Sequence, residues 1–217
     1  TNLQAIAVDG AGHAYVADNQ AIRRISPTGE VTLHAGLPGQ PGTTDGPRLA
    51  ARFNYISALG FDAEGNLYVA EAWQIRRIAA NGVTTTLAGG TPAAAAVDGI
   101  GAAARISGVA SMAALPSGQG MVIAEPSSSV VRRVTAGGVV STLAGVAPRL
   151  GAVDAIGTAA RLQDPRKVIV APDGLLFVAE LPGLRRIAAS GAVGTIAKTG
   201  NLGTFSATDV ARGPAGE

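Results

Sequence analysis

The chain has 217 residues and a formal net charge of +2, and at 47% apolar and 15% charged it is too hydrophobic and too sparsely charged for a disordered segment. Two lysines, eight aromatics and arginines spread along the length lack the clustered cations and stacking rings of a nucleic-acid groove, so no nucleic-acid partner is expected. Without cysteine there is no disulfide, thiolate nucleophile or cysteine zinc site, and no apolar run reaches the roughly 18 residues of a membrane span.

From the N-terminus, "QAIAV" reads as a strand, the turn "DGAG" follows, and "HAYVAD" is a second strand ending on Asp18. A third strand, "AIRRIS", carries Arg23 and Arg24, and "PTGE" turns it into a fourth, "VTLHA". The linker "TTDGPRLAARFN", with Asp45 and Arg52, leads to a second set: "SALGF", "LYVAE" ending on Glu71, "QIRRIA" with Arg76 and Arg77, and "VTTTLA". Next come the linker "AVDGIGAAARIS" with Asp98 and Arg105, a third set with Glu125, Arg132 and Arg133, and the linker "AVDAIGTAARLQDP" with Asp154 and Arg161. The fourth set holds Glu180, Arg185 and Arg186, and the closing segment "FSATDVARGPAGE" keeps Asp209 and Arg212 at altered spacing.

The arginine pairs lie 53, 56 and 53 residues apart, each preceded by an acid and followed by a Gly-containing turn. Asp, Asn, Pro and Gly supply the backbone angles of tight hairpins, so each unit is a meander of four antiparallel strands. A repeat of that length predicts an all-β chain, a β-propeller of four four-stranded blades in one domain over residues 1–217, with blades near 1–54, 55–108, 109–165 and 166–217.

The segments "IAVDGAGHAYVADNQAIRRISPTGEVTLHAG" and "LGFDAEGNLYVAEAWQIRRIAANGVTTTLAGG" resemble the NHL repeat of bacterial and animal β-propellers, and the linkers resemble the long connection of bacterial NHL proteins. The resemblance implies a propeller but little about activity, because this fold carries many unrelated ones. The chain departs from the family in its shortened turns "NQA", "AWQ" and "LPG", and in having four units where five or six blades are usual.

Alternating strand direction brings the acids, the arginine pairs and the Asp–Arg linkers to one end of the blades. One arginine of each pair is expected to bond the acid ending the second strand, in its own blade or the next, while the other reaches linker carbonyls or solvent. Asp45, Asp98 and Asp154 are expected to cap short helical turns, and Arg52, Arg105 and Arg161 to fasten the linkers to nearby carboxylates or carbonyls. Phe53, Ile106 and Leu162 should tuck the linkers over the core.

No catalytic set emerges. His13 falls beside the first hairpin turn and His34 in an outer strand, and neither has a second histidine at metal-ligand spacing. Gluconolactonase-type propellers, which the architecture resembles, hold a divalent metal in the channel, yet here the inner strands begin with Gln4, Ser57, Ser111 and Lys167. The reading is therefore a non-catalytic binding or scaffold propeller for a protein or glycan, with no cofactor and no membrane insertion. The alternatives are a metal-dependent lactonase-like hydrolase or lyase, and a module of a larger bacterial surface or toxin-like protein. Partner-contact candidates are Gln20, Trp73, Ser128 and Leu181, in the turns after the second strands. An extracellular or periplasmic location is favoured. The ring could close on itself, with Thr1–Asp9 beside the strand of Thr195, or be completed by another copy or by further blades of a longer parent chain.

Overall fold

A computed structural model describes residues 3–118, 120–147, 149–181 and 183–198; Asp209 and Arg212 lie outside them. The first blade is β1 (Leu3–Val8), β2 (Ala14–Asp18), β3 (Ala21–Ile25) and β4 (Val31–Gly36), paired in sequence order. A two-residue linker strand, β5 (Gly46–Pro47), precedes β6 (Ile56–Phe61), β7 (Leu67–Glu71), β8 (Gln74–Ile78) and β9 (Val83–Gly89) of the second blade. Another, β10 (Gly99–Ile100), precedes β11 (Ser111–Ala114), β12 (Met121–Glu125), β13 (Val130–Val134) and β14 (Val139–Gly145). The fourth blade is β15 (Lys167–Val170), β16 (Leu176–Glu180), β17 (Gly183–Ile187) and β18 (Val193–Lys198). The molecule is a four-bladed β-propeller of antiparallel meanders.

The linker strands refine the four-stranded expectation. β5 pairs with β9 and β10 with β14, so each linker adds a short fifth strand to the outer edge of the blade that follows it; the bridge Ile156↔Ala192 repeats this in the fourth blade. Among the described residues β1 pairs only with β2 and β18 only with β17, so Leu3–Val8 forms no ladder with the strand of Thr195.

Register explains the two faces. Val16 pairs with Arg23 and Tyr15 with Arg24, and the pattern returns as Val69↔Arg76 with Tyr68↔Arg77 and as Ile123↔Arg132 with Val122↔Arg133. Adjacent side chains alternate across a strand, so the first arginine of a pair faces the preceding blade and the second faces the following one. The apolar neighbours on these faces fill the joints. Tyr15, Ala17 and Ile22 meet Leu59, Leu67 and Val69; Tyr68, Ala70 and Ile75 meet Met112, Met121 and Ile123; Val122, Ala124 and Val131 meet Val168, Leu176 and Val178. Each fully buried aliphatic or aromatic side chain contributes about 1.5–3 kcal/mol. From the linkers Phe53, Ile106 and Leu162 join these clusters, completely buried. Ile6 on β1 is 66% exposed.

Each outer strand carries a bulge at one repeated place. Ile22 opposes Ala35 while Arg23 opposes Leu33, leaving His34 unpaired between them; Leu87, Leu143 and Ile196 hold that position in the other blades. A bulge re-aims the extra side chain. Where β9 ends, Gly89 adopts φ +83, and a Cβ there would collide with the Trp73 carbonyl, so only glycine lets the chain leave the blade. Gly36 and Gly145 close the first and third blades in the same way.

Candidate binding site

The repeated charges are used inside the blades. Arg76 is completely buried and donates from Nη1 to Glu71 Oε1 at 3.2 Å, from Nη2 to Asp45 Oδ1 at 2.7 Å, and to the carbonyls of Thr44 and Arg52. The Phe53 ring lies 4.6 Å from its guanidinium carbon. Glu71 also accepts from the Asn54 amide at 2.9 Å, and Asp45 accepts from the Thr86 amide at 2.8 Å and its hydroxyl at 3.2 Å. Arg132 repeats this with Glu125, Asp98 and Thr142, and Arg185 with Glu180, Asp154 and Thr195. A planar fork that meets two carboxylates and two carbonyls is the guanidinium's particular capacity. Burial pushes Glu71 and Glu180 above the ordinary glutamate range, outweighing the linker amides and the arginines that favour their charged forms.

Two expectations are corrected here. In the second, third and fourth blades one arginine takes both the acid and the linker carbonyls, whereas its neighbour (Arg77, Arg133, Arg186), like Arg24 in the first, lies on the other face of the blade. The linker aspartates are not helix caps: the short 3-10 turns Gly101–Ala103 and Gly157–Ala159 start from Ile100 and Ile156 without a side-chain cap, because Asp98 and Asp154 are spent on arginine and threonine. Arg52, Arg105 and Arg161 each turn back onto carbonyls of the three or so residues before them, such as Ala50 at 2.8 Å and Thr158 at 2.9 Å. The threonines closing each cage escaped the sequence reading. Their signal was there: Thr86, Thr142 and Thr195 each stand ten residues after the caged arginine, with Leu33 in that place in the first blade.

The starts of the inner strands converge. Gln4, Ser57, Ser111 and Lys167 line one axial cleft of about 350 Å³, walled by Ile6, Leu59 and Met112, at the blade end that also bears the acids and linkers. Ser57 Oγ donates to the Ala70 carbonyl at 3.4 Å, and Ser111 Oγ accepts from the Val168 amide at 3.3 Å. Gln4 Oε1 is buried without a hydrogen-bond partner among the described residues. This donor set of amide, hydroxyls and ammonium suits a polar or anionic ligand. It does not fit the divalent cation that a lactonase resemblance implies, since such ions take carboxylate and carbonyl oxygens and the described lining residues include no carboxylate. Among the described residues no group of three or more His, Asp or Glu side chains could hold a metal, and no helix is long and apolar enough to cross a membrane.

The turns after the second strands divide the partner-contact candidates. Trp73 and Leu181 are each 40% exposed and Gln20 is half-buried. Ser128 is fully buried and is withdrawn from any exposed surface: Pro126–Ser128 coils into a 3-10 turn, and the Ser128 hydroxyl donates to Ser107 Oγ at 2.6 Å and accepts from the Ala96 amide at 2.8 Å.

No protein-family model matches the chain. No curated protein matches it either. Solved structures do. Virginiamycin B lyase from Staphylococcus aureus with quinupristin superimposes with a TM-score of 0.59 at 16% identity, over 88% of this chain and 54% of the lyase. An auxiliary nutrient binding protein from Bacteroides ovatus gives 0.66 at 19% identity, over 86% of this chain and 48% of that one. Its counterpart from Bacteroides thetaiotaomicron gives 0.62 at 18% identity, over 82% and 45%. At these identities the likeness concerns the fold alone. The chain spans about half the length of the solved propellers it resembles.

Proposed function

We propose that the chain is a non-catalytic binding propeller of the NHL-repeat type that holds a protein or glycan ligand in the axial cleft and on the turns around it. The observation that carries this is the convergence of Gln4, Ser57, Ser111 and Lys167 from four different blades in one cleft whose described lining residues include neither imidazole nor carboxylate. A glycan's hydroxyls or a peptide's carbonyls match these donors, and Trp73, with large area and little rotamer freedom, stands in a turn at the same end of the blades. The binding role named for the Bacteroides neighbours is compatible with this reading, which extends to a module of a larger bacterial surface protein, outside the cytoplasm.

The test is a glycan and peptide array followed by calorimetry, comparing the protein with Ser57→Trp, which fills the cleft. Binding in the presence of a chelator, lost in Ser57→Trp and without turnover of the ligand, supports the proposal. Calcium-dependent opening of lactones or cyclic depsipeptides would overturn it in favour of a hydrolase or lyase.

A further inference from the structure

The joint between the first two blades departs from its sisters. On the side facing the second blade, the first blade presents Tyr15, Arg24 and the bulge residue His34, and the linker adds Arg48; across from them lie Phe61 and Leu67. Together they line a cleft of about 250 Å³ that includes the turns after β6 and β8, at the blade end opposite the axial cleft. The joint between the third and fourth blades has a cleft of about 370 Å³ in the same place, but there the bulge residue is Leu143 and the counterpart of Arg48 is Gly157. That cleft is lined by one guanidinium, Arg133, and one carboxylate, Asp173. The middle joint likewise has Leu87 in the bulge and Gly101 in the linker. Two departures from the repeat, both towards polar chemistry, have therefore met in one joint, although each lies in a different part of the unit.

The charges there are unbalanced. Two guanidiniums line the cleft, and among its described lining residues there is no carboxylate. Glu64, in the place of Asp173, turns towards Gly118 of the third blade. Asp9 is spent behind the cleft: it accepts from Tyr15 Oη at 3.2 Å and pairs with His13 Nδ1 at 3.0 Å, while His13 Nε2 faces Arg24 Nη2 at 2.6 Å. His13 thus stands between the Asp9 carboxylate and the Arg24 guanidinium. The Nε of Arg24, like that of Arg77 in the next joint, is buried without a hydrogen-bond partner among the described residues. His34 packs edge-on against Tyr15, ring centres 4.8 Å apart. Burial, with Arg48 and Arg24 nearby, holds its imidazole down at about 4, so near neutral pH it offers a neutral N–H and adds no third charge.

We propose that this cleft is an oxyanion-binding site, in which Arg24, Arg48 and His34 take the carboxylate or phosphate of a small ligand whose apolar body rests on Phe61 and Leu67. Forked guanidiniums suit both oxyanions, and the aromatic floor suits a ligand with a flat or aliphatic body. The site is separate from the axial cleft and does not depend on the function proposed above.

Benzoate and inorganic phosphate are the probes, titrated by calorimetry and by NMR of the two histidines at low ionic strength. Saturable binding is expected, with the His34 titration midpoint rising by about one unit or more as the bound anion offsets the arginines. Arg48→Gly and His34→Leu install the residues of the sister joints, so the melting temperature should hold while Arg48→Gly weakens binding at least about tenfold. Tighter benzoate assigns a carboxylate ligand, and tighter phosphate a phosphate-bearing one. No saturable binding by either probe would overturn the site. So would unchanged affinity in Arg48→Gly, or loss of binding on Lys167→Ala, which would move the anion to the axial cleft.

Discussion

Arg23 and Arg76 occupy the same place in their blades, follow an acid at the same interval, and live in different surroundings. Arg76 is fully buried between Glu71 and Asp45, with two carbonyls and a phenyl ring closing the cage. Among the described residues Arg23 has Asp18 alone, at 3.0 Å, and its side chain is 40% exposed. The difference is the linker. It supplies Asp45, the carbonyls and Phe53 to the second blade, and no described segment runs over the first. An acid and an arginine on neighbouring strands make a surface pair; the linker turns that pair into a buried network.

The largest expected effect tests this directly. Arg76→Ala leaves Glu71 buried and unpaired and should cost about 3–5 kcal/mol, whereas Arg23→Ala should cost less than about 1 kcal/mol. Denaturant unfolding of both variants measures the contrast, and equal losses would break it. Next in size, Thr86→Leu writes the first blade's residue into the second, removes a hydroxyl bond to Asp45, and should cost about 1 kcal/mol. The reverse change, Leu33→Thr, should move stability by no more than about 0.5 kcal/mol, because no described carboxylate awaits it.

Acidity sharpens the comparison within one cage. Burial raises Glu180, outweighing the Gln163 amide and Arg185; it acts the same way on Asp154, but the Thr195 amide and hydroxyl together with Arg185 outweigh it and leave that carboxyl low. A carboxyl raised by folding costs stability as pH climbs from its unfolded to its folded value, and returns it as pH falls back. A lowered carboxyl contributes above its unfolded value and loses that contribution as pH falls through its folded one. Glu180→Gln should thus remove a gain on acidification that begins above about pH 4.3, and Asp154→Asn a loss that develops below about pH 3.9. Unfolding midpoints of the two variants across that range should diverge from the parent in opposite directions. The smallest effect is expected at Trp73, where replacement by alanine should change stability by no more than about 0.5 kcal/mol while reducing ligand binding.

Blade number and strand order were legible because turn residues and acid–arginine intervals recur at each unit, and local chemistry agrees with the global fold. The finer site was less so. Asp98 and Asp154 looked like caps because Asp before a short helical turn usually is one; a guanidinium 31 to 34 residues away proved the better partner, and no local pattern announces a partner that distant. Ser128 looked available because it falls in the turn after a second strand, as Trp73 and Leu181 do, but Pro126–Ser128 coils into a 3-10 turn and its hydroxyl is spent inside on Ser107. His34 could be seen as a strand residue, but not as a bulge residue, because only pairing with β3 makes it the extra one.

Each cage also has a direction in time. The lid on Arg76 comes from Thr44, Asp45 and Arg52, and the lids on Arg132 and Arg185 likewise come from chain that precedes them. During synthesis the ribosome releases every lid before the arginine it covers, and Thr86, ten residues later, completes the closure. A nascent blade can therefore seal its buried charge once its own outer strand emerges, without waiting for a blade not yet made. The order in which the linkers are written guards against exposed, half-assembled charge pairs while the polypeptide is growing.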